Sequence, residues 1–375
     1  MEFLFWLFAF GAVYSYFLYP LILSVLPRRA PRRTASPELP AISLIITAHN
    51  EAARLQRKLD NTLALDYPRA RLEIIVASDA STDATDAIAE AYADRGLRLV
   101  RAEERKGKEH AQWHAIRAAS NDVLVFSDVA TDLAPDALQC LARAFADSRV
   151  GAVSSEDRFL TDSGEVVGEG AYVRYEMWLR RLESRVNSLV GLSGSFFAAR
   201  KVVCQQWDIA VPSDFNTALN CVRLGLVAVS DPDVVGFYRG IADERKEYAR
   251  KQRTVIRGMA ALARRAEVMN PMRFGVFAWQ VFSHKLMRWL VPWLLVGLLL
   301  VSIVLAPTHA FYAFALAAQL AFYVLAILGR AFAALRRSAL FKIPYFFVQA
   351  NAAIAHASVS FLMGKRVTVW NPSKR

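Results

Sequence analysis

Four short polar clusters, each at the C-terminal end of an apolar run, constrain the fold more than any other feature of this sequence. They are Thr47-Ala48-His49-Asn50-Glu51, Ser78-Asp79-Ala80-Ser81-Thr82-Asp83, Ser127-Asp128-Val129-Ala130-Thr131-Asp132 and Pro212-Ser213-Asp214-Phe215. The runs 42–48, 72–77, 97–102, 123–127 and 150–155 are short and β-rich, and helical segments opening at Glu51, Ser81, Lys108 and Pro135 separate them. Strands joined through crossover helices must pair mostly in parallel. The expected fold class is therefore α/β, a mostly parallel sheet flanked by helices, over 41–266. A helix over 172–190, a small-residue turn at 191–195, a strand over 196–199, a helix opening at Asp214 and a basic helix over 244–266 complete it. Ligands of such sheets collect outside the strand carboxyl ends, where loops and helix N-termini are free to meet phosphate. Three of the four clusters put an aspartate there.

The chain has 375 residues, 55% of them hydrophobic, and a net charge of +12. Much of the basic excess flanks apolar stretches, at Arg28, Arg29, Arg32 and Arg33 and at Arg330, Arg336 and Arg337. That placement fits anchoring to an anionic membrane leaflet and not a nucleic-acid partner. The first apolar stretch, 3–26, carries Trp6, Tyr14, Tyr16 and Tyr19 but no basic leader and no small-residue cleavage site, so a retained anchor over 1–26 is expected. A Pro- and Arg-rich linker over 27–40 follows, and its charge places the middle of the chain in the cytoplasm. Residues 290–306 and 311–329, joined by Pro307-Thr308-His309, read as a transmembrane hairpin inside a membrane region over 290–364, preceded by an interfacial helix over 267–289. Lys342, Pro344, Gln349, Asn351 and His356 interrupt the last segment, 340–362. If it spans, which is favoured, the basic tail 365–375 lies outside against the charge rule; if it lies in the interface, the tail stays inside. The expected location is a bacterial inner membrane, multi-pass, with the sheet domain cytoplasmic. Cys140, Cys204 and Cys221 form no Cys-x-x-Cys, which fits a reducing compartment and inert core thiols.

Each cluster has a local reading beside a chemical one. Ser81 or Asp83 can cap a helix, and that leaves Asp79 free for a nucleoside; Asn50 can cap a helix, or the backbone after the first strand can hold the nucleoside. Gly107-Lys108 opens a helix where amides and an ammonium can meet a diphosphate, or it belongs to the solvated charge run 103–109. Asp128 suits an oxygen ligand of Mg2+ or Mn2+, or serves a turn. Asp214 either caps its helix or is a general base within reach of a hydroxyl. His49, His110 and His114 form no metal set with a cysteine, and His110 and His114 are expected to face solvent.

Taken in order, these segments resemble the family 2 glycosyltransferases, inverting enzymes on the GT-A nucleotide-sugar fold, and in particular their membrane-embedded bacterial exopolysaccharide and envelope branch. The resemblance covers nearly the whole chain. The opening segment is similar to Thr47-Ala48-His49-Asn50-Glu51, the family's Asp-Gly-Ser-Thr-Asp to Asp79-Ala80-Ser81-Thr82-Asp83, and its Gly-Lys to Gly107-Lys108. The metal-binding Asp-x-Asp falls on Asp128-Val129-Ala130, the acidic pair ending in the catalytic base on Ser213-Asp214, and the acceptor-side turn on Gly191-Leu192-Ser193-Gly194-Ser195. Trp370-Asn371-Pro372-Ser373-Lys374-Arg375 resembles a tail common in this branch. The resemblance implies a nucleotide-sugar substrate, a UDP-sugar foremost, and Mg2+ or Mn2+. It also implies Asp214 as base and Asp128 as metal ligand, with Asp132 as a further candidate. Thr47, His49, Asn50, Glu51, Asp79, Lys108, Ser127, Arg253 and Arg257 fall to the donor, and Glu156, Ser193 and Gly194 to the acceptor side.

Two departures bear on mechanism. Ala130 replaces the second carboxylate of Asp-x-Asp, which puts metal dependence in question. Gln252-Arg253-Thr254-Val255-Ile256-Arg257 lacks the Arg and Trp of the processive members' Gln-x-x-Arg-Trp. The resulting expectation is a membrane-bound transferase acting on a lipid-linked or membrane-proximal glycan, alongside other polysaccharide-assembly proteins. The alternatives are a processive β-polysaccharide synthase or a catalytically silent scaffold of a secretion complex. No Gly-x-Gly-x-x-Gly follows the first strand, which disfavours a nicotinamide dehydrogenase.

Overall fold

The computed structural model describes residues 1–30, 38–160, 171–239 and 244–367. The expected tail motif 370–375 and two of the linker's four arginines, Arg32 and Arg33, lie outside the described residues. The chain divides into two compact units: one of Met1–Val25, Ala242–Met259 and Trp279–Arg366, the other of Leu26–Ile241, Ala260–Ala278 and Val367–Arg375.

The second unit is built on an eight-stranded sheet. Its strands are β1 (Ile42–Ala48), β2 (Leu72–Ser78), β3 (Leu97–Arg101), β4 (Val123–Asp128), β5 (Asp132–Leu133), β6 (Val150–Leu160), β7 (Phe196–Arg200) and β8 (Val227–Arg239), in the order β3-β2-β1-β4-β7-β6-β8-β5. The four strands β3, β2, β1 and β4 run parallel. β7 enters antiparallel between β4 and β6, whereas β6 and β8 are parallel. All seven residues of β1 are buried, because helices cover both faces of the sheet. On one face Leu44 and Ile46 pack with Leu55 and Leu59 of α2 (Ala52–Leu63) and Leu138 and Leu141 of α5 (Ala137–Ala144). On the other, Ile45 and Phe126 pack with Ala111 and Ala115 of α4 (Lys108–Ala118) and Ala218 and Cys221 of α7 (Ser213–Arg223). Each such buried Leu, Ile or Phe side chain contributes about 1.5–3 kcal/mol. Two further helices of this unit are α3 (Thr85–Glu90) and α6 (Ala171–Val186), while α1 is the N-terminal helix Glu2–Val25 of the other unit. Cys140, Cys204 and Cys221 are buried and unbridged, and burial raises all three thiols above their ordinary range.

The other unit is helical. Glu2–Val25, Val276–Leu305 and Ala310–Ala331 are long and apolar enough to cross a membrane. The segments read from sequence as an interfacial helix and the span after it thus share one helical path, Val276–Leu305. A further helix, Ala339–Leu362, has the length but is not among those three, since polar residues and Pro344 interrupt its apolar surface. The first helix approaches the Val276–Leu305 helix closely at two glycines. A methyl on Gly297 would stand 2.8 Å from the Phe8 ring, and one on Gly11 would stand 3.0 Å from Leu294. Tyr14 fixes the pairing by accepting the Trp279 indole N–H at 2.9 Å and sharing a 2.8 Å hydrogen bond with Ser283.

Candidate active site

The ends of β1 and β2 are laced into one platform. Asn50 Oδ1 accepts the Thr82 amide at 2.8 Å, Glu51 N donates to Thr85 Oγ1 at 2.8 Å, and Ala52 N donates to Asp83 Oδ2 at 3.1 Å. Asp83 also accepts the Thr85 amide at 2.9 Å. Of the possible caps it is therefore Asp83 that serves both helices, while Asn50 bonds across to the second loop. Asn50 and Ala80 adopt left-handed backbone, with φ of 53° and 50°. Ala80 holds the position where the family motif has glycine, the residue that takes this conformation without steric cost. His49 is buried, with Nδ1 2.8 Å from the Asp79 carbonyl oxygen. Glu51 is ion-paired to Arg54 at 2.7 Å, and burial raises its carboxyl above the usual range.

Asp79 is fully buried, and its carboxylate is engaged within the protein: it accepts the amides of Lys106 at 3.1 Å and Gly107 at 2.9 Å. The aspartate read as free for a nucleoside thus positions the Gly107-Lys108 loop. Lys108 then extends its ammonium to Asp128 Oδ1 at 2.5 Å and to the Gly194 carbonyl at 2.7 Å. Asp128 is tied to the same turn by its own amide, which donates to Ser195 O at 2.9 Å. The Asp214 carboxylate lies on the other side of Gly194: a methyl added there would be 3.0 Å from Asp214 Oδ2. Asp214 sits inside the first turn of α7, whose N-cap is Pro212 without a side-chain cap, and its Oδ1 accepts the neighbouring Phe215 amide at 2.8 Å. Lys108, Asp128, Gly194 and Asp214, read from separate parts of the sequence, converge here. Glu109 Oε1 accepts the Ser213 amide at 3.3 Å and links the two helix starts.

Two residues of this region escaped the sequence reading. Lys58 of α2 is fully buried and donates to Ser127 Oγ at 2.8 Å and Thr131 O at 2.6 Å, supporting the Asp128 loop from beneath. Burial pushes its ammonium down to about 7, opposed by Asp132 and Asp128. Its signal was a lysine on the apolar stripe formed by Leu55, Leu59 and Thr62. Asp157 is the second: it accepts Ser193 Oγ at 2.6 Å and Ser195 Oγ at 3.1 Å, holding both neighbours of Gly194, and burial raises its carboxyl. Glu156, expected on the acceptor side, is locked in a two-pronged pair with Arg181 at 2.5 and 2.6 Å. Asp132 pairs with Arg57 at 2.9 Å. Arg253 and Arg257 belong to the helical unit.

Among the described residues no group of three or more His, Cys, Asp or Glu side chains could hold a metal by itself. A single carboxylate nevertheless fits Mg2+ or Mn2+ where phosphate oxygens and water supply the remaining ligands. Asp128, partly exposed beside Lys108, is that carboxylate.

Residues 43–206 match the family model Glycosyl transferase family 2. This segment is therefore similar to a family 2 glycosyltransferase domain, and the fold that holds it is GT-A-like. The poly-beta-1,6-N-acetyl-D-glucosamine synthase of Staphylococcus aureus is 26% identical over 206 residues, 53% of this chain and 48% of that protein. Uncharacterized protein MT1568 of Mycobacterium tuberculosis is 30% identical over 152 residues, 40% of this chain and 46% of that protein. The chain spans about half the length of these relatives. A mannosyltransferase of Pyrobaculum calidifontis, solved with GDP-Man and Mn2+, shares the fold with a TM-score of 0.73 and 24% identity, over 97% of this chain and 99% of that one.

Proposed function

We propose that this protein transfers a glycosyl group from a nucleoside-diphosphate sugar, a UDP-sugar by the resemblance of its motifs, to a hydroxyl of a lipid-linked or membrane-proximal glycan in exopolysaccharide or envelope assembly. The observation that carries the reading is the convergence at Gly194: the Lys108 ammonium and the Asp128 carboxylate on one side, the Asp214 carboxylate on the other. Asp214 removes the acceptor hydroxyl proton, and attack proceeds in line with inversion. Lys108 draws toward itself the charge that develops on the departing diphosphate, and the platform Thr47–Glu51 with Asp79 behind it shapes the nucleoside pocket. Asp128 would hold Mg2+ or Mn2+, which when bound neutralises diphosphate charge as a Lewis acid. The three membrane-length helices support a multi-pass protein of the bacterial inner membrane with this domain in the cytoplasm.

The test is nucleotide release by detergent-purified protein from a panel of UDP- and GDP-sugars, with and without Mn2+, in the presence of membrane-lipid acceptors. The reading expects turnover with one donor that falls by at least about a hundredfold in Asp214→Asn, the size of a general-base contribution. Nucleotide binding without turnover from any donor would instead favour a silent scaffold, and a ladder of products a processive synthase.

A further inference from the structure

A cavity of about 680 Å³ lies beside the site and is lined by Lys106, His110, Trp113, Trp207, Asp208 and Arg265 among others. Two of these residues are cations from different parts of the chain. Arg265 leaves its Nε without a hydrogen-bond partner, and Lys106 pairs only with Glu104, in a contact in which both side chains are exposed. Such a surface pair is weak enough for a better anion to replace it. The single carboxylate of the lining, Asp208, is already engaged: it pairs with Arg264 at 2.9 Å and accepts the Ala210 amide at 2.9 Å. The cavity therefore offers a guanidinium with an unpartnered Nε and an ammonium held only by an exposed pair that a better anion can replace.

Three aromatic rings, those of His110, Trp113 and Trp207, also line the cavity. The Trp207 indole N–H donates to the Glu109 carbonyl at 2.9 Å, and its ring stacks on Phe126 with centroids 5.2 Å apart. Trp113 is half-buried, with the Arg117 guanidinium 4.8 Å from its ring centre. His110 is nine-tenths buried, and its Nδ1 has no partner. Indole faces take the apolar face of a sugar ring, and paired cations take a phosphate dianion. A neutral glycan would leave the cations unused; inorganic phosphate would leave the indoles unused. The walls are also continuous with the proposed chemistry: the Lys106 amide is bonded to Asp79, and Trp207 leads into the segment that ends at Asp214.

We propose that this cavity binds a phosphorylated saccharide. Its place on the acceptor side rests on the glycosyl-transfer reading above; the binding itself does not. Isothermal titration of the full chain in detergent tests it with four probes: a hexose 6-phosphate, the unphosphorylated hexose, inorganic phosphate, and a hexose phosphate carried on a polyprenyl chain in micelles. The hexose phosphate or its carried form should bind about tenfold or more tightly than hexose or phosphate alone, and the pair Lys106→Gln with Arg265→Gln should lose about tenfold, as expected for charge-assisted contacts. UDP affinity and melting temperature should stay unchanged. Tighter binding of the carried form identifies a lipid-linked ligand, and equal binding a soluble one. Binding no tighter than that of inorganic phosphate, or unchanged in the paired variant, overturns the proposal. Should that variant melt early, ligand quenching of the Trp113 emission decides: a quench abolished in Trp113→Phe sustains the site, and none in the wild type overturns it. Failure of glycosyl transfer would show separately, as donor turnover indifferent to Asp214→Asn, and would leave the binding result standing.

Discussion

Gly194 is the residue through which the proposed chemistry can be adjusted most finely. Its carbonyl holds Lys108, and its Cα faces Asp214, so a side chain there touches the proposed base without touching a nucleotide loop. Gly194→Ala should displace the Asp214 carboxylate and lower kcat by about tenfold or more, while the dissociation constant for the free nucleotide, measured by titration, stays put. Ala80 offers the opposite case. Its left-handed backbone costs an alanine about 1–2 kcal/mol, more than the roughly 0.4–1 kcal/mol of unfolded-chain entropy that glycine adds. Ala80→Gly should therefore raise the melting temperature slightly with turnover intact. Lys58 sets a pH dependence. Its folded ammonium releases its proton near pH 7, whereas in the unfolded chain it keeps it to about pH 10. Across that window the unfolded state binds more protons, so this group's contribution to stability rises with pH and is lost again below pH 7. Melting curves at pH 7 and 9 should show a gain in the wild type that shrinks in Lys58→Met.

At the scale of elements, the sequence periodicity reached β1 through β4, β6 and β7 and missed β5 and β8. β1 through β4 are self-announcing because each is a short apolar run buried on both faces and closed by a polar cluster. β8 carries Ser230, Asp231 and Asp233 within its thirteen residues, and β5 has only two residues, so neither shows a run to recognise. Asp214, Asp128 and Lys108 were legible as motif positions, because chemistry restricts the residue type there. Asp157 and Lys58 were not, since a buried charge gains its meaning from partners distant in sequence, Ser193 and Ser195 for one and Ser127 and Thr131 for the other. In the helical unit, the close approach at Gly297 gives its own prediction. Gly297→Val would drive branched carbons into the Phe8 ring and should cost about 1–3 kcal/mol, read as a lower melting temperature in detergent.

For the molecule as a whole, the proposed function, with Ala130 in place of a second carboxylate, would leave Asp128 and Lys108 to share the work of neutralising a diphosphate. Chelation should abolish most nucleotide release, and Mn2+ should restore it with a weaker apparent affinity than a site with two carboxylates would show; release that persists in chelator would assign the task to Lys108.

The lacing of the first two loops has a consequence for how this sequence can drift. Asn50 and Thr82 share two side-chain contacts, so loss of either side chain strips the other of those contacts, although the Thr82 amide still donates to Asn50 Oδ1 when the Thr82 side chain changes. Their effects should not sum: a double-mutant cycle should show a coupling of about 0.5–3 kcal/mol. Once one position has changed, the selective cost of changing the other has already been largely met. Over evolutionary time the two positions form a single inherited character, and a signature scored one column at a time would undervalue it.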